Sequence, residues 1–166
     1  MEISVRPIGT IRTPFKEQTG TPIQPYFAKG AMGWIELERQ YLEGLADLAG
    51  FDRIWLIYWF DRAREVSLTV KPYLDQHTHG VFATRAPARP NPIGMSCVRL
   101  LEVQEAVLRV AEVDILDGTP LLDIKPYVMR FDALSSARQG WMDHVPFEPG
   151  SSFGADSRFE SDERRE

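Results

Sequence analysis

The chain has 166 residues and a formal net charge of −5, with 43% hydrophobic and 26% charged residues. A chain of this length and ordinary composition predicts one globular domain with a substantial core. Its longest apolar run, residues 54–60, is far too short for a membrane helix, and no signal-peptide pattern opens the chain. The single cysteine, Cys97, excludes an internal disulfide, so we expect a cytoplasmic protein.

The pattern along the chain predicts mainly short strands. Residues 3–10 alternate loosely, and Pro7 suggests an edge position there. Residues 41–48 carry apolar side chains at helical spacing, with Gly50 as a stop. Residues 54–60 are seven consecutive apolar residues, which predict a strand buried on both faces. The other predicted strands are residues 34–37, 65–70, 81–84, 97–104 and 107–116.

The last two of these strands predict a hairpin around Glu105 and Ala106. In the first of them, Val98 and Leu100 share one phase whereas Leu101 and Val103 share the other, which is typical of a β-bulge. Short strands, many turns and one helix favour an antiparallel barrel or sandwich. No glycine-rich dinucleotide fingerprint or βαβ rhythm is present, so a Rossmann nucleotide site is not supported.

Residues 84–96, TRAPARPNPIGMS, form an unusual stretch. Three prolines fix φ and bias their predecessors to extended geometry, which predicts a stiff, non-helical loop. Arg85 and Arg89 then lie in set directions, suited to an anionic or planar ligand. The alternative is a purely structural proline corner.

Residues 117–127, DGTPLLDIKPY, form a second unusual stretch. It opens on a turn signal and offers two carboxylates, Asp117 and Asp123, one ammonium, Lys125, and one phenol, Tyr127. The alternative to a functional role is a turn at a strand end followed by a solvated strand.

The two stretches together resemble the TrmO family, also called YaeB-like. The opening IGTIRTPF, the segment TPIQPYFAKGAMGWIEL and the strand FDRIWLIYWFDR fit the same family pattern, so the resemblance covers about residues 3 to 130. It implies a small antiparallel β-barrel with one or two short helices, in a single-domain short form of a non-Rossmann methyltransferase. We expect this barrel domain to span residues 1–149, followed by a disordered charged tail at 150–166.

The resemblance implies an S-adenosylmethionine-dependent enzyme that methylates N6 of threonylcarbamoyladenosine, the modified adenosine beside the anticodon of tRNA. It also implies a homodimer. Two other readings stay open: a methyltransferase for a small molecule or another RNA, and a non-catalytic S-adenosylmethionine-binding module.

The resemblance also implies the site residues, position by position along the matched motifs. Arg85 is the foremost cofactor contact among them, because a guanidinium suits the carboxylate of the cofactor. Gly94 suits a close backbone approach or a plain turn. The predicted cofactor contacts are Gln24, Pro25, Tyr26, Asp61, Arg62, Arg85, Asn91, Met95, Asp117, Gly118, Thr119 and Pro120. The predicted catalytic residues are Asp117, Lys125 and Tyr127, with Asp123 as a further candidate for the base.

Charge argues weakly against RNA, because phosphate binding requires a basic face. Residues 154–166 carry −2 of the net charge of −5, however, and we expect a local basic rim in the rest of the chain. Its predicted members are Lys71, Arg85, Arg89, Lys125 and Arg130. His77 and His79 stand only one residue apart, which fits no zinc pattern, and we expect no metal.

Overall fold

A computed structural model describes residues 3–135, 138–146, 148 and 150–159. Within these residues, six antiparallel strands close into a barrel, and two further strands form a separate ribbon. The barrel strands are β1 (Gly9–Arg12), β2 (Met32–Leu37), β3 (Arg53–Trp59), β6 (Ile93–Gln104), β7 (Val107–Ala111) and β8 (Thr119–Pro126); the ribbon is β4 (Thr69–Val70) with β5 (His79–Gly80). The predicted mainly β, antiparallel barrel is therefore confirmed.

The order of strands around the barrel is β1, β2, β7, β6, β3, β8, and β8 pairs back onto β1. The β3–β6 pair is the longest continuous register, from Arg53 opposite Arg99 to Trp59 opposite Ile93. Closure is made by β1 and β8, with Gly9 opposite Leu121. A closed barrel leaves no unpaired strand edge.

The barrel interior is an aliphatic core. Its fully buried members come from every strand: Ile11, Ile35, Ile54, Leu56, Val98, Leu108, Val110 and Leu121. A second, smaller cluster packs under the proline-rich loop and consists of Val70, Val81, Ala86, Ala88 and Phe159. The second cluster packs the ribbon, the loop segments and the C-terminal segment against one another.

The strand predictions were confirmed for β2, β3 and the β6–β7 hairpin. The turn of the hairpin falls at Glu105, where φ is +48°, and the predicted bulge lies between Leu100 and Glu102. Strand β7 stops at Ala111, because Glu112 adopts a left-handed backbone, so the predicted extension to residue 116 was wrong. Strand β3 alternates between buried and half-buried residues, which corrects the expectation of two buried faces.

Three other local predictions were wrong. The first strand begins at Gly9 rather than Ile3. Only Thr69–Val70 of residues 65–70 is a strand, because the Ser67 hydroxyl bonds the Thr69 carbonyl at 2.6 Å and competes with pairing. Residues predicted as a strand at 81–84 form a 3₁₀ turn, Val81–Ala83.

Helical structure in the described residues is short. The predicted helix at 41–48 is two 3₁₀ segments, Arg39–Leu45 and Leu48–Gly50, separated at Asp47, where φ is +64°. A single α-helical turn, α1 (Met129–Asp132), follows β8. None of the helices in the described ranges is long and apolar enough to cross a membrane.

Residues 150–159, the start of the predicted tail, lie against the loop that follows β1. Backbone hydrogen bonds join Gly20 to Ala155, Ala155 to Thr21, and Ile23 to Phe153. The remainder of the predicted tail, residues 160–166, lies outside the described residues. The domain boundary at residue 149 stays a prediction.

Candidate active site

A cavity of about 790 Å³ opens at one end of the barrel. At this end β1, β3 and β7 finish and β6 and β8 begin, so their loops converge. The lining residues are drawn mainly from segments 18–24, 26–27, 58–63, 82–87 and 114–116, with Arg89, Ala155 and Phe159 added. This volume lies in the range of small-molecule and cofactor sites.

The proline-rich loop is held from within by Arg89. Its Nη1 donates to the backbone carbonyls of Val81, Thr84 and Ala86 at 3.0, 2.9 and 3.4 Å. Arg89 therefore acts largely as an internal brace for the loop. Arg85, the other arginine of the motif, is exposed and lines the cavity.

Arg85 joins two segments that are distant in the sequence. Its guanidinium donates to Oε1 of Gln24, whose own amide donates to the Ile23 carbonyl at 2.7 Å. Arg85 and Gln24 both line the main cavity and a neighbouring cavity of about 420 Å³. The segments TPIQPYFAKGAMGWIEL and TRAPARPNPIGMS are thus brought together where Arg85 contacts Gln24.

The Asp117 turn forms a braced part of the site that does not line the cavity. Asp117 accepts hydrogen bonds from the Thr13 N–H at 3.0 Å and from Lys16 Nζ at 2.6 Å. Arg62 donates to the backbone carbonyls of Asp117 at 2.6 Å and Lys16 at 3.0 Å. Desolvation raises the pKa of Asp117, but the Lys16 and Thr13 bonds outweigh it and hold the pKa below its usual range. Gly118 supplies the left-handed backbone of this turn, at φ +82°.

A polar network lies beneath the main cavity and was not found from the sequence. The Ser96 hydroxyl donates to Oδ1 of Asp114 at 2.6 Å and lies 3.0 Å from the Tyr58 hydroxyl. Burial raises the pKa of Tyr58 well above its usual range. Gly94 makes room for this network, because an added Cβ there would lie within 3.0 Å of three Tyr58 ring atoms.

The mouth of the cavity carries exposed aromatic groups. Phe82 is 75% exposed, and the guanidinium carbon of Arg89 lies 5.8 Å from the centre of its ring. Trp141 donates its indole N–H to the Ala83 carbonyl at 2.8 Å and stacks on His79 at 4.8 Å. A residue from the C-terminal third therefore covers one side of the opening.

The loop histidines share one carboxylate. Asp75 lies 2.9 Å from Nδ1 of His77 and 2.8 Å from Nε2 of His79, and these bonds hold the pKa of Asp75 well below its usual range. Across the described ranges, no group of three or more His, Cys, Asp and Glu residues is arranged to hold a metal ion.

The structure gathers part of the predicted site into the main cavity. The predicted residues that line it are Gln24, Tyr26, Asp61, Arg62, Arg85, Met95 and Thr119. Pro25 lines the neighbouring cavity. Asn91, Asp117, Gly118, Pro120, Lys125 and Tyr127 line neither of the two. Of the predicted basic rim, Arg85 and Arg89 line the main cavity, whereas Lys71, Lys125 and Arg130 do not.

Lys125 and Tyr127 lie on the outer surface of the barrel. Lys125 stands opposite Trp55 in the β3–β8 register, and its Nζ lies 2.8 Å from Asp123. Tyr127 packs edge-on against the Trp55 ring at 5.8 Å. These two predicted catalytic residues therefore lie away from both cavities.

A closed antiparallel barrel with a ligand-sized cavity at one end is the architecture of a small ligand-binding domain, and it differs from the parallel sheet of a Rossmann fold. The family model described as "tRNA-methyltransferase O N-terminal domain" matches residues 10–133. The chain therefore belongs to the tRNA-methyltransferase O family, which confirms the resemblance found in the sequence.

Relatives and solved structures agree with this membership. A Pyrococcus abyssi protein, named a probable S-adenosyl-L-methionine-binding protein, is 55% identical over 85% of this chain and 77% of its own length. The Escherichia coli tRNA (adenine(37)-N6)-methyltransferase is 38% identical over 84% of this chain and 63% of its own length. A crystal structure of TrmO from Pseudomonas aeruginosa superposes with a TM-score of 0.71 at 42% identity, over 84% of this chain and 62% of that chain.

The named relatives agree with the predicted cofactor, because their names specify S-adenosylmethionine binding or methyl transfer. The chain spans less than two thirds of the Escherichia coli enzyme and of the solved Pseudomonas chain.

Proposed function

We propose that this chain transfers the methyl group of S-adenosylmethionine to N6 of the adenosine beside the anticodon of tRNA, with threonylcarbamoyladenosine as the acceptor. The observation that supports this proposal most strongly is the cavity at one end of the barrel, where Arg85 and Gln24 from two separate family motifs meet. The name of the Escherichia coli relative supports the choice of adenine N6 in tRNA. The predicted cytoplasmic location belongs to this proposal.

The cavity fits the proposed cofactor in size and in chemistry. The exposed guanidinium of Arg85 suits a carboxylate of the ligand. The Asp61 carboxylate, which also lines the cavity, suits a positively charged group of the ligand. Apolar surface for a planar base comes from Phe60, Ile115 and Leu116. When bound, the cofactor supplies an activated methyl group, and the reaction then depends on alignment with the acceptor.

The remaining predicted cofactor residues have supporting roles in this proposal. Gln24 orients Arg85, and Arg62 with Gly118 holds the shape of the Asp117 turn. We assign Asp117 to this structural task, because its paired carboxylate with a lowered pKa is a weak base.

An exposed aromatic ring at the mouth supports a nucleoside acceptor. Bases stack on exposed aromatic side chains in single-stranded nucleic acid sites, and Arg guanidinium groups strengthen such platforms. Phe82 and Arg89 provide this pair of groups beside the cavity. We infer that the target adenosine stacks on Phe82 while N6 enters the cavity.

We infer that the outer face of β3 and β6 binds a second copy of the chain. The outward pairs are Trp55 with Cys97, Ile57 with Met95, and Trp59 with Ile93. Met95 and Ile93 are 49% and 41% exposed, and an apolar surface of this kind is typical of an interface. The neighbouring cavity opens on this face between Trp55, Met95 and Arg85, so a second copy would complete its wall. In this arrangement Lys125 and Tyr127, beside Trp55, act within the dimer.

Sedimentation tests the dimer. We expect the wild-type chain to sediment as a dimer and Ile57→Glu as a folded monomer, because a charge at the centre of the face is costly to bury. Val107→Glu, at an exposed apolar position on β7, is the matched control and should stay dimeric. A monomeric wild-type chain, or a dimeric Ile57→Glu variant, would refute the assigned face.

The activity is tested by incubating the protein with S-adenosylmethionine and tRNA that carries threonylcarbamoyladenosine, followed by digestion to nucleosides and mass spectrometry. We expect one methyl group on that nucleoside, lost in Arg85→Ala and retained in Arg109→Ala, an exposed arginine paired with Glu102 at 3.6 Å. Methylation of adenosine that lacks the threonylcarbamoyl group would show that the acceptor is the unmodified nucleoside instead. Cofactor binding without transfer to any tRNA would favour the binding module or another acceptor.

A further inference from the structure

Asp114 is a titratable group at the cavity that the proposed function has not used. It follows β7 and lines the main cavity, and its Oδ1 accepts the Ser96 hydroxyl at 2.6 Å. Ser96 is only 1% exposed, and it also contacts the Tyr58 hydroxyl, whose residue is 5% exposed. The network therefore holds one carboxylate oxygen in a fixed direction.

The second oxygen of Asp114 is the one available to a ligand. No hydrogen bond from another residue in the described ranges reaches Oδ2. In the same described ranges, no side-chain oxygen is both fully buried and without a hydrogen-bond partner. Oδ2 is therefore not fully buried, and it retains access to the cavity that Asp114 lines. A carboxylate with one oxygen anchored and the other open is suited to accept a proton from a bound molecule.

We propose that Asp114 is the catalytic residue that removes the N6 proton of the acceptor during methyl transfer. This role rests on the proposed function. The N6 nitrogen forms a bond to the methyl carbon while the carbon–sulfur bond breaks, and the electron pair of that bond stays on sulfur. The N6 proton passes to Oδ2 of Asp114, which leaves a neutral carboxyl group and a neutral methylated nitrogen.

The electrostatic surroundings support this choice of base. Desolvation raises the pKa of Asp114 to about 7, against the lowering effects of the Ser96 hydrogen bond, of its own backbone N–H and of Arg85. The titratable and charged groups that act on it are Tyr58, from β3, and Arg85, from the proline-rich loop. A base is most effective when its pKa lies near the working pH.

The other carboxylates near the cavity are less suited. Asp117 is paired with Lys16 and its pKa is lowered. Asp61 lines the cavity, but its side chain is 37% exposed and lies 4.0 Å from the Arg62 guanidinium. Asp123 pairs with Lys125 on the outer surface. Asp114 alone among these four combines access to the cavity with a fixed orientation in the described structure.

The test is single-turnover methyl transfer to the threonylcarbamoyladenosine-bearing tRNA across the neutral pH range, with the affinity for S-adenosylmethionine measured by calorimetry. Asp114→Asn should slow transfer by about 100-fold or more and remove the pH dependence, with cofactor affinity within about threefold of wild type. Ser96→Ala should move the midpoint of the pH profile upward from about 7, because its hydrogen bond lowers the pKa of Asp114. Glu102→Gln, an exposed carboxylate on β6 paired with Arg109, is the matched control and should match wild type.

Several results would overturn the assignment. Near-normal transfer by Asp114→Asn, or a pH profile unchanged in both Asp114→Asn and Ser96→Ala, would exclude a proton-accepting role. Slower transfer explained wholly by weaker cofactor binding would make Asp114 a binding residue instead. A wild-type protein that methylates no tRNA would refute the proposed function itself, whereas wild-type activity with an active Asp114→Asn variant would refute only this inference.

Discussion

The contact between Gly94 and Tyr58 gives a sharp test of how the barrel positions its polar network. Gly94 stands opposite Tyr58 in the β3–β6 register, and an added Cβ would lie within 3.0 Å of ring atoms Cδ2, Cε2 and Cζ. The ring is held by the Ser96 hydroxyl at 3.0 Å and by edge-on packing with Phe60 at 5.3 Å. Gly94→Ala therefore has to displace a side chain that is already fixed.

Overpacking of this kind typically costs about 1–3 kcal/mol of unfolding free energy, and we expect Gly94→Ala to fall in that range. Gly44→Ala is the matched control, because nothing lies within 4 Å of an added Cβ there, and it should change stability by less than about 0.5 kcal/mol. Urea unfolding measures both variants.

A double-mutant cycle isolates the contact. In a Tyr58→Ala background the ring is absent, so Gly94→Ala should cost little, and the coupling free energy should exceed about 1 kcal/mol. The reasoning is refuted if Gly94→Ala costs no more than Gly44→Ala, or if its cost is the same with and without the Tyr58 ring.

Three further predictions concern the cavity and its walls. Because the pKa of Asp114 rises from 3.8 to about 7 on folding, its stabilising effect is complete below pH 3.8 and lost as the pH rises through about 7. The wild-type chain should therefore lose roughly 3 kcal/mol of unfolding free energy between pH 5 and pH 8, as measured by urea unfolding, and Asp114→Asn should remove this loss. The same pH slope in both proteins would refute the prediction. Arg62→Ala removes the hydrogen bonds to the Asp117 and Lys16 carbonyls and should lower the free energy of unfolding by about 1–2 kcal/mol while weakening cofactor affinity in calorimetry; unaltered values of both would contradict the bracing role. Phe82→Ala should raise the KM for tRNA about tenfold with cofactor affinity unchanged, and equal loss of both would remove its role as a stacking platform.

The sequence predicted those parts of the fold in which local pattern and tertiary contacts agree. The bulge in β6 was predictable because the apolar phase reverses between Leu100 and Leu101, and an extra residue in the strand produces such a reversal. The strand at 81–84 was predicted wrongly because the Thr84 hydroxyl bonds the Val81 carbonyl at 2.9 Å, which closes a turn that apolar pattern alone does not reveal.

The candidate site divides in the same way. Arg85 and Gln24 were predictable because each lies in a distinctive motif, although only the folded barrel brings them into contact. Asp114 was missed because it lies within an apolar, strand-like segment, where a single polar residue has no local signal. Ser96 ends the distinctive stretch 84–96, but nothing in that stretch indicates its contact with Asp114. Their contact joins a residue within β6 to a residue beyond the end of β7, so it depends on how these two strands pair.

Closure of the barrel constrains how the chain can fold as it is made. Strand β1 pairs with β8 across about 110 residues of sequence, so this seam forms only after the chain has been synthesised beyond Leu121. Until then β1 retains a free edge, which is the kind of surface that recruits strands from other molecules. Translation that stalls before Leu121 would thus release chains with an open seam, and ribosome-bound chaperones would have their greatest effect on yield during that interval.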